Sequence, residues 1–168
     1  MKKTSKTSRD LLGFCAHDHT RCIDSSVSAA EAHCADHGLQ WTPARRRVLE
    51  ILLREHRALG AYEILDILRE GGEKAQPPVA YRALDFLVAQ GFAHRIEKLN
   101  AFIACTEPGR DHMPAFLICR ICDTVAETQA QTASGALKSS ARSSGFAIEA
   151  AVMEAEGVCP NCQKSAET

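Results

Sequence analysis

Pro77-Pro78-Val79-Ala80-Tyr81-Arg82-Ala83-Leu84-Asp85-Phe86-Leu87-Val88-Ala89-Gln90-Gly91-Phe92-Ala93-His94-Arg95-Ile96-Glu97 is the stretch whose reading decides the fold. Proline has no N–H to donate, which costs nothing in the first turn of a helix, so Pro77-Pro78 opens one. Gly91 closes it, because glycine takes the left-handed turn past a helix end without strain. Leu84, Leu87 and Val88 share a face suited to a core, while Arg82, Asp85 and Ala89 lie on another. Past the glycine the pattern turns to strand. Phe92–Glu97 and Ala101–Cys105 are short runs joined by a tight turn near Leu99-Asn100.

Working upstream, Thr42 is a good N-cap and Pro43 fits the first helical position. Val48, Leu49, Leu52 and Leu53 follow at helical spacing, with Arg45, Arg46 and Arg47 in the first turns. A further helix is predicted from Ala61 to Glu70, where Tyr62, Leu65 and Leu68 recur beside Ile64 and Gly71-Gly72 stops the chain. An earlier helix runs from Ser25 to His37, ended by Gly38, and residues 1–24 read as a flexible polar extension. Helices followed by a hairpin make a winged helix-turn-helix over residues 25–105, in which the last helix enters the major groove of DNA. A plain helical bundle with a hairpin fits the same pattern.

The C-terminal half has another texture. Cys119-Arg120-Ile121-Cys122 and Cys159-Pro160-Asn161-Cys162 are C-x-x-C turns, each short enough for both sulfurs to reach one ion. Together they offer four thiolates, the set a tetrahedral structural zinc takes. The 36 residues between the pairs must form structure of their own. Phe116–Ile118 and Thr124–Thr128 read as strands, Gln129–Ser144 as a weak helix, and Phe146, Ile148, Ala150 and Val152 alternate as in a half-buried strand. This is a small α/β unit over residues 111–168, and a unit of that size gains from a metal staple. Turn formers at Thr106-Glu107-Pro108-Gly109-Arg110 mark a hinge over residues 106–110. The fold class is α+β.

Composition narrows the function classes. The 168 residues carry a net charge of -1, so nucleic-acid binding has to rest on a local basic face. No apolar run approaches the roughly 20 residues of a membrane span, and the basic N-terminus lacks the apolar stretch of a signal peptide. The expected location is cytoplasmic, where eight cysteines and seven histidines point to metal rather than to disulfides. No phosphate-cradling glycine loop and no nucleophile elbow is present, and no enzyme activity is expected. A thiol oxidoreductase would need one free reactive thiolate rather than sulfurs shared by an ion.

Taken in order, Pro77–Leu87, Gln90–Glu97, Phe116–Cys119 and the paired C-x-x-C motifs resemble the ferric uptake regulator superfamily and, within it, the zinc uptake regulators. The resemblance runs from about Ala30 to Cys162. It implies a homodimer with N-terminal winged-helix domains and C-terminal dimerisation domains. With zinc as corepressor, such a regulator sits on AT-rich inverted-repeat operator DNA and represses zinc-uptake genes. Carried over by position, the regulatory zinc ligands fall on His94, Cys105, His112 and Glu127, apart from the structural zinc on Cys119, Cys122, Cys159 and Cys162. Two zinc ions per chain are implied.

Two imidazoles, one thiolate and one carboxylate suit zinc better than iron or manganese. Iron-sensing members carry a histidine-rich run before the first C-x-x-C pair, where this chain has only His112 in Gly109–Ala115. Tyr81 and Arg82 are the expected DNA contacts, arginine being the usual partner of guanine O6 and N7. The family commonly has threonine where this chain has Val79. A further cluster, Cys15, His17, His19 and Cys22, has metal-compatible spacing for a third zinc, against a tail that binds none. Other readings are a superfamily member sensing another metal, and a zinc-buffering protein with no use for Tyr81-Arg82.

Overall fold

The computed structural model describes residues 20–55, 57–109, 113–129, 131–149 and 151–166. The chain divides into two compact units, with the break between Gly109 and Arg110. In the first unit, helices α1 (Thr20–Asp36), α2 (Pro43–Arg54), α3 (Ala61–Glu70) and α4 (Pro77–Ala89) precede a small sheet. Its strands are β1 (Leu59–Gly60), β2 (Ala93–Ile96) and β3 (Ala101–Ala104), in the order β1-β3-β2. This is the winged helix-turn-helix, with α4 as recognition helix and β2–β3 as wing.

Local chemistry sets these elements. The Thr42 hydroxyl accepts the Arg45 N–H at 3.3 Å and caps α2. The Glu63 carboxylate reaches back to the Gly60 N–H at 2.8 Å and caps α3. Helix α4 ends where Gly91 turns left-handed at φ +71, the Phe92 N–H reaching the Leu87 carbonyl at 2.8 Å and the Gly91 N–H reaching Val88. Asn100 takes φ +47 in the wing turn, and its side-chain oxygen accepts from Arg95 at 2.9 Å. The core gathers Val48, Leu49, Ile51 and Leu52 of α2, Ile64, Leu65 and Leu68 of α3, and Ala80, Ala83, Leu84 and Leu87 of α4.

Several expectations shift by a residue or a turn. Helix α1 begins at Thr20 rather than Ser25, which puts Cys22 of the N-terminal cluster on a helix. Ile51 takes the fully buried place on α2 expected of Leu53. Tyr62 is 69% exposed, and Val88 is turned outward while the small Ala80 and Ala83 let α4 approach its neighbours.

The second unit is a sheet of β4 (Pro114–Cys119), β5 (Val125–Gln129) and β6 (Met153–Gly157), with α5 (Gln131–Ser143) and α6 (Pro160–Ala166). The order is β5-β4-β6, with β4 antiparallel to β5 and parallel to β6. Central β4 is buried at every position except Leu117. The alternation at Phe146–Val152 does not make a strand among its described residues. Phe146 is 67% exposed just past the Gly145 turn that ends α5, and the strand begins only at Met153. Ladder bonds to β4 override the weak strand preference of Met153–Gly157, and the register sets Gly157 beside Cys119.

Candidate metal centre and nucleic-acid interface

The parallel pairing of β4 and β6 assembles the cysteine cluster. Cys119 ends β4, and the turn into β5 is closed by the Asp123 N–H on the Cys119 carbonyl at 2.9 Å, with Asp123 at φ +56. On the other side, the Arg120 N–H bonds the Gly157 carbonyl at 2.9 Å and delivers Cys159, after which Pro160 starts α6 and carries Cys162 in its first turn. All four Sγ atoms lie within 4.8 Å of one another, and Cys122 and Cys159 are 3.8 Å apart. Tetrahedral zinc with Zn–S bonds near 2.3 Å spaces its sulfurs about 3.8 Å apart, so the set fits that ion.

The electrostatics fit as well. Backbone N–H groups, that of Cys159 first and then those of Cys122 and Ile121, hold the Cys119 thiol down at about 6 against the effect of burial. The Thr124 hydroxyl, 3.1 Å from Cys122 Sγ, lowers that thiol too. The surrounding sulfurs, Cys159 and Cys122 first, push the Cys162 thiol up to about 12. Four sulfurs this close become thiolates together only around a cation.

A second group lies on the wing. Ala93 pairs with Ala104 and His94 with Ile103, and the Cys105 N–H continues the ladder to the Phe92 carbonyl at 2.9 Å. This register turns His94 and Cys105 to one face as diagonal neighbours. A ring nitrogen of His94 lies within 4.8 Å of the Cys105 sulfur, and Cys105 is buried. In the second unit Glu127 sits on β5 opposite Phe116 and is a buried carboxylate. His112 lies outside the described residues, as do Cys15, His17 and His19; of Cys22 only its place in α1 is described.

On α4, Tyr81 and Arg82 are exposed, as a surface meeting DNA requires. The arginines of α2 are not equivalent. Arg46 pairs with Glu50 at 3.1 Å, and Arg47 pairs with Glu50 at 3.3 Å and Glu73 at 3.1 Å, so both charges are already engaged. The Arg45 guanidinium lies 3.5 Å over the Phe86 ring and donates to the Gln40 carbonyl. Arg45 also lines, with Thr42, Ala44, Val79, Arg82 and Ala83, a 240 Å³ cleft between α2 and α4. Asp66 and Arg69 pair within α3 at 3.5 Å.

Residues 36–156 match the model of the ferric uptake regulator family. The chain belongs to that family. It is 38% identical to the zinc uptake regulation protein of Escherichia coli (strain K12) over 139 residues, covering 81% of this chain and 80% of that protein. A solved zinc uptake regulator complexed with zinc and DNA matches with a TM-score of 0.83 at 35% identity, over 87% of this chain and 98% of that one. The crystal structure of holo XcZur matches with a TM-score of 0.76 at 39% identity, over 84% of this chain and 99% of that one.

Proposed function

We propose that the chain is a zinc-responsive transcriptional repressor of zinc-uptake genes, binding operator DNA as a zinc-loaded homodimer. The observation that carries this reading is that the wing of a DNA-binding unit itself presents metal ligands, His94 and Cys105, with their donor atoms within 4.8 Å. Similarity to zinc uptake regulators, one of them solved with zinc and DNA, supports zinc as the signal.

Cys119, Cys122, Cys159 and Cys162 hold the structural zinc. His94, Cys105, His112 and Glu127 hold the regulatory one, and zinc there supplies charge and a cross-link rather than chemistry on a substrate. Its ligands come from both sides of Gly109–Arg110 in sequence, so zinc favours whichever arrangement of the chain satisfies all four. An ion shifts affinity for DNA only by such a difference between states. Arg82 and Tyr81 contact the operator. The second copy would cover apolar surface of the second unit, in which Leu137, Phe146 and Val152 are each exposed. Among the described residues no helix is long and apolar enough to cross a membrane, and the proposed place of action is the cytoplasm.

The test is zinc per chain by elemental analysis before and after a mild chelator, with DNA binding followed on the same samples. One resistant zinc, plus a second that leaves together with DNA affinity, is the expected result. A third would be assigned to Cys15, His17, His19 and Cys22. One resistant zinc with DNA binding indifferent to zinc would overturn the reading.

A further inference from the structure

The N-terminus of the recognition helix is unusual in its chemistry. A helix normally presents free backbone N–H groups in its first turn, and these hold phosphates. Here the first two helical positions are Pro77 and Pro78, which have none. The third is Val79, whose N–H is taken by the Gln76 carbonyl at 2.9 Å; Ala80 points its N–H at the same oxygen. Gln76, the N-cap, makes no side-chain capping bond. The first turn of α4 therefore offers no free backbone donor, and the Gln76 amide is the polar group beside it.

Val79 is exposed at that end of the helix, at 42%, as are Pro78 before it and the N-cap Gln76. It stands three residues before Arg82, on the same helical face, and both line the cleft with Arg45 and Thr42. Burial does not explain a β-branched apolar residue left open between two arginines; Ala80 and Ala83 supply the core contact of this turn.

Resting on the repressor reading above, we propose that Val79 is a specificity-determining residue that recognises the 5-methyl group of an operator thymine beside the base pair contacted by Arg82. The first residues of a recognition helix are those that reach base edges, and the thymine methyl is the apolar group the major groove offers. A first turn with no free backbone donor cannot hold a phosphate by its backbone, and the Val79 side chain loses no hydrogen bond when a methyl group displaces water from it. The neighbouring arginine fixes the register, and the valine sorts thymine from the other bases at the adjoining position.

The experiment uses the full-length zinc-loaded protein. Operators are first selected from random duplex DNA. Each thymine is then replaced singly by deoxyuridine, which removes only the methyl, and binding is measured for wild type, Val79→Ala and Val79→Ser. One thymine per half-site is expected whose replacement weakens wild type about fourfold, the worth of roughly one buried methyl. Both variants should ignore that replacement while keeping the response to a change at the guanine read by Arg82.

If the substitution in the protein and the loss of the methyl weaken binding additively at every thymine, Val79 does not touch a methyl and the inference falls alone. If no duplex is bound in response to zinc, the inference and the repressor reading fall together. Circular dichroism and zinc content of both variants, expected to match wild type, keep a folding defect from imitating either result.

Discussion

The Cys159 N–H points at the Cys119 sulfur from 3.3 Å, although the two residues are 40 apart in sequence. The contact exists because β6 runs parallel to β4 with Gly157 set against Cys119. The metal cluster and the sheet register are thus one structural fact. A parallel pairing needs a long crossover, and β5 and α5 supply it. A zinc ion on both C-x-x-C turns, as proposed, would fasten the two ends of that crossover at once.

Cys119→Ser should for this reason unfold the second unit rather than merely lower its zinc content. Zinc affinity at such a site is folding free energy, of order 10 kcal/mol at neutral pH. The expected outcome is loss of the chelator-resistant zinc, of cooperative melting of the second unit and of the dimer in sedimentation. A stable dimer carrying one zinc fewer would refute the structural role.

Acid should release the same zinc in a defined window. Hydrogen bonds to Cys119 hold its thiol at about 6, below the ordinary value of 9.0. A lowered thiol contributes stability that is complete above its ordinary value and is lost as pH falls through about 6. Cys162 has the opposite sign: pushed up to about 12, it favours the thiol, and zinc must displace its proton. Bound zinc holds its thiolates against protons, so zinc retention, measured by elemental analysis after dialysis, should hold from pH 9 down past the metal-free value of about 6 and fail only below it. Between those limits zinc binding should release at least one proton per ion, read from calorimetry in buffers of different ionisation enthalpy. Release of none would contradict the raised Cys162.

The legible parts of the sequence were those dictated by local chemistry. The caps at Thr42 and Gly91, the prolines opening α2 and α4, the wing and the C-x-x-C turns need no knowledge of the rest of the chain. What escaped depends on tertiary partners. Tyr62 fits an apolar stripe by spacing, yet it is exposed because Ala61 and Ile64 fill the core side of α3. Strand β6 has the composition Met-Glu-Ala-Glu-Gly and exists through its ladder to β4, so the alternation upstream at Phe146–Val152 was a misleading signal. The engagement of Arg47 by Glu73 was likewise invisible, since Glu73 lies 26 residues from Arg47. In the candidate metal site, spacing alone could pair cysteines, but placing His94 beside Cys105 required the wing register.

Cys105→Ser should separate sensing from folding. The cysteine cluster is untouched, so the dimer and the resistant zinc should persist. The regulatory ion loses its thiolate, and oxygen is a poorer donor for zinc at this position. The zinc concentration for half-maximal operator binding should rise at least tenfold. If that midpoint stayed at the wild-type value, the wing would not be part of the sensor.

Arg82→Ala should act at the opposite end of the same event. Arg82 is exposed on α4, while its neighbours Ala83 and Leu84 are buried, so truncation removes a surface group and leaves the core intact. A bidentate arginine–guanine contact is worth about 1–3 kcal/mol of discrimination, or roughly five- to 150-fold. Operator affinity should fall by that factor at saturating zinc, with the zinc midpoint and zinc content unchanged. Arg82→Lys should recover part of the affinity but little of the preference for guanine, because an ammonium contributes charge without the planar fork. Equal losses on operator and random DNA would instead mean that Arg82 holds a phosphate, and the base reading of α4 would rest on Tyr81.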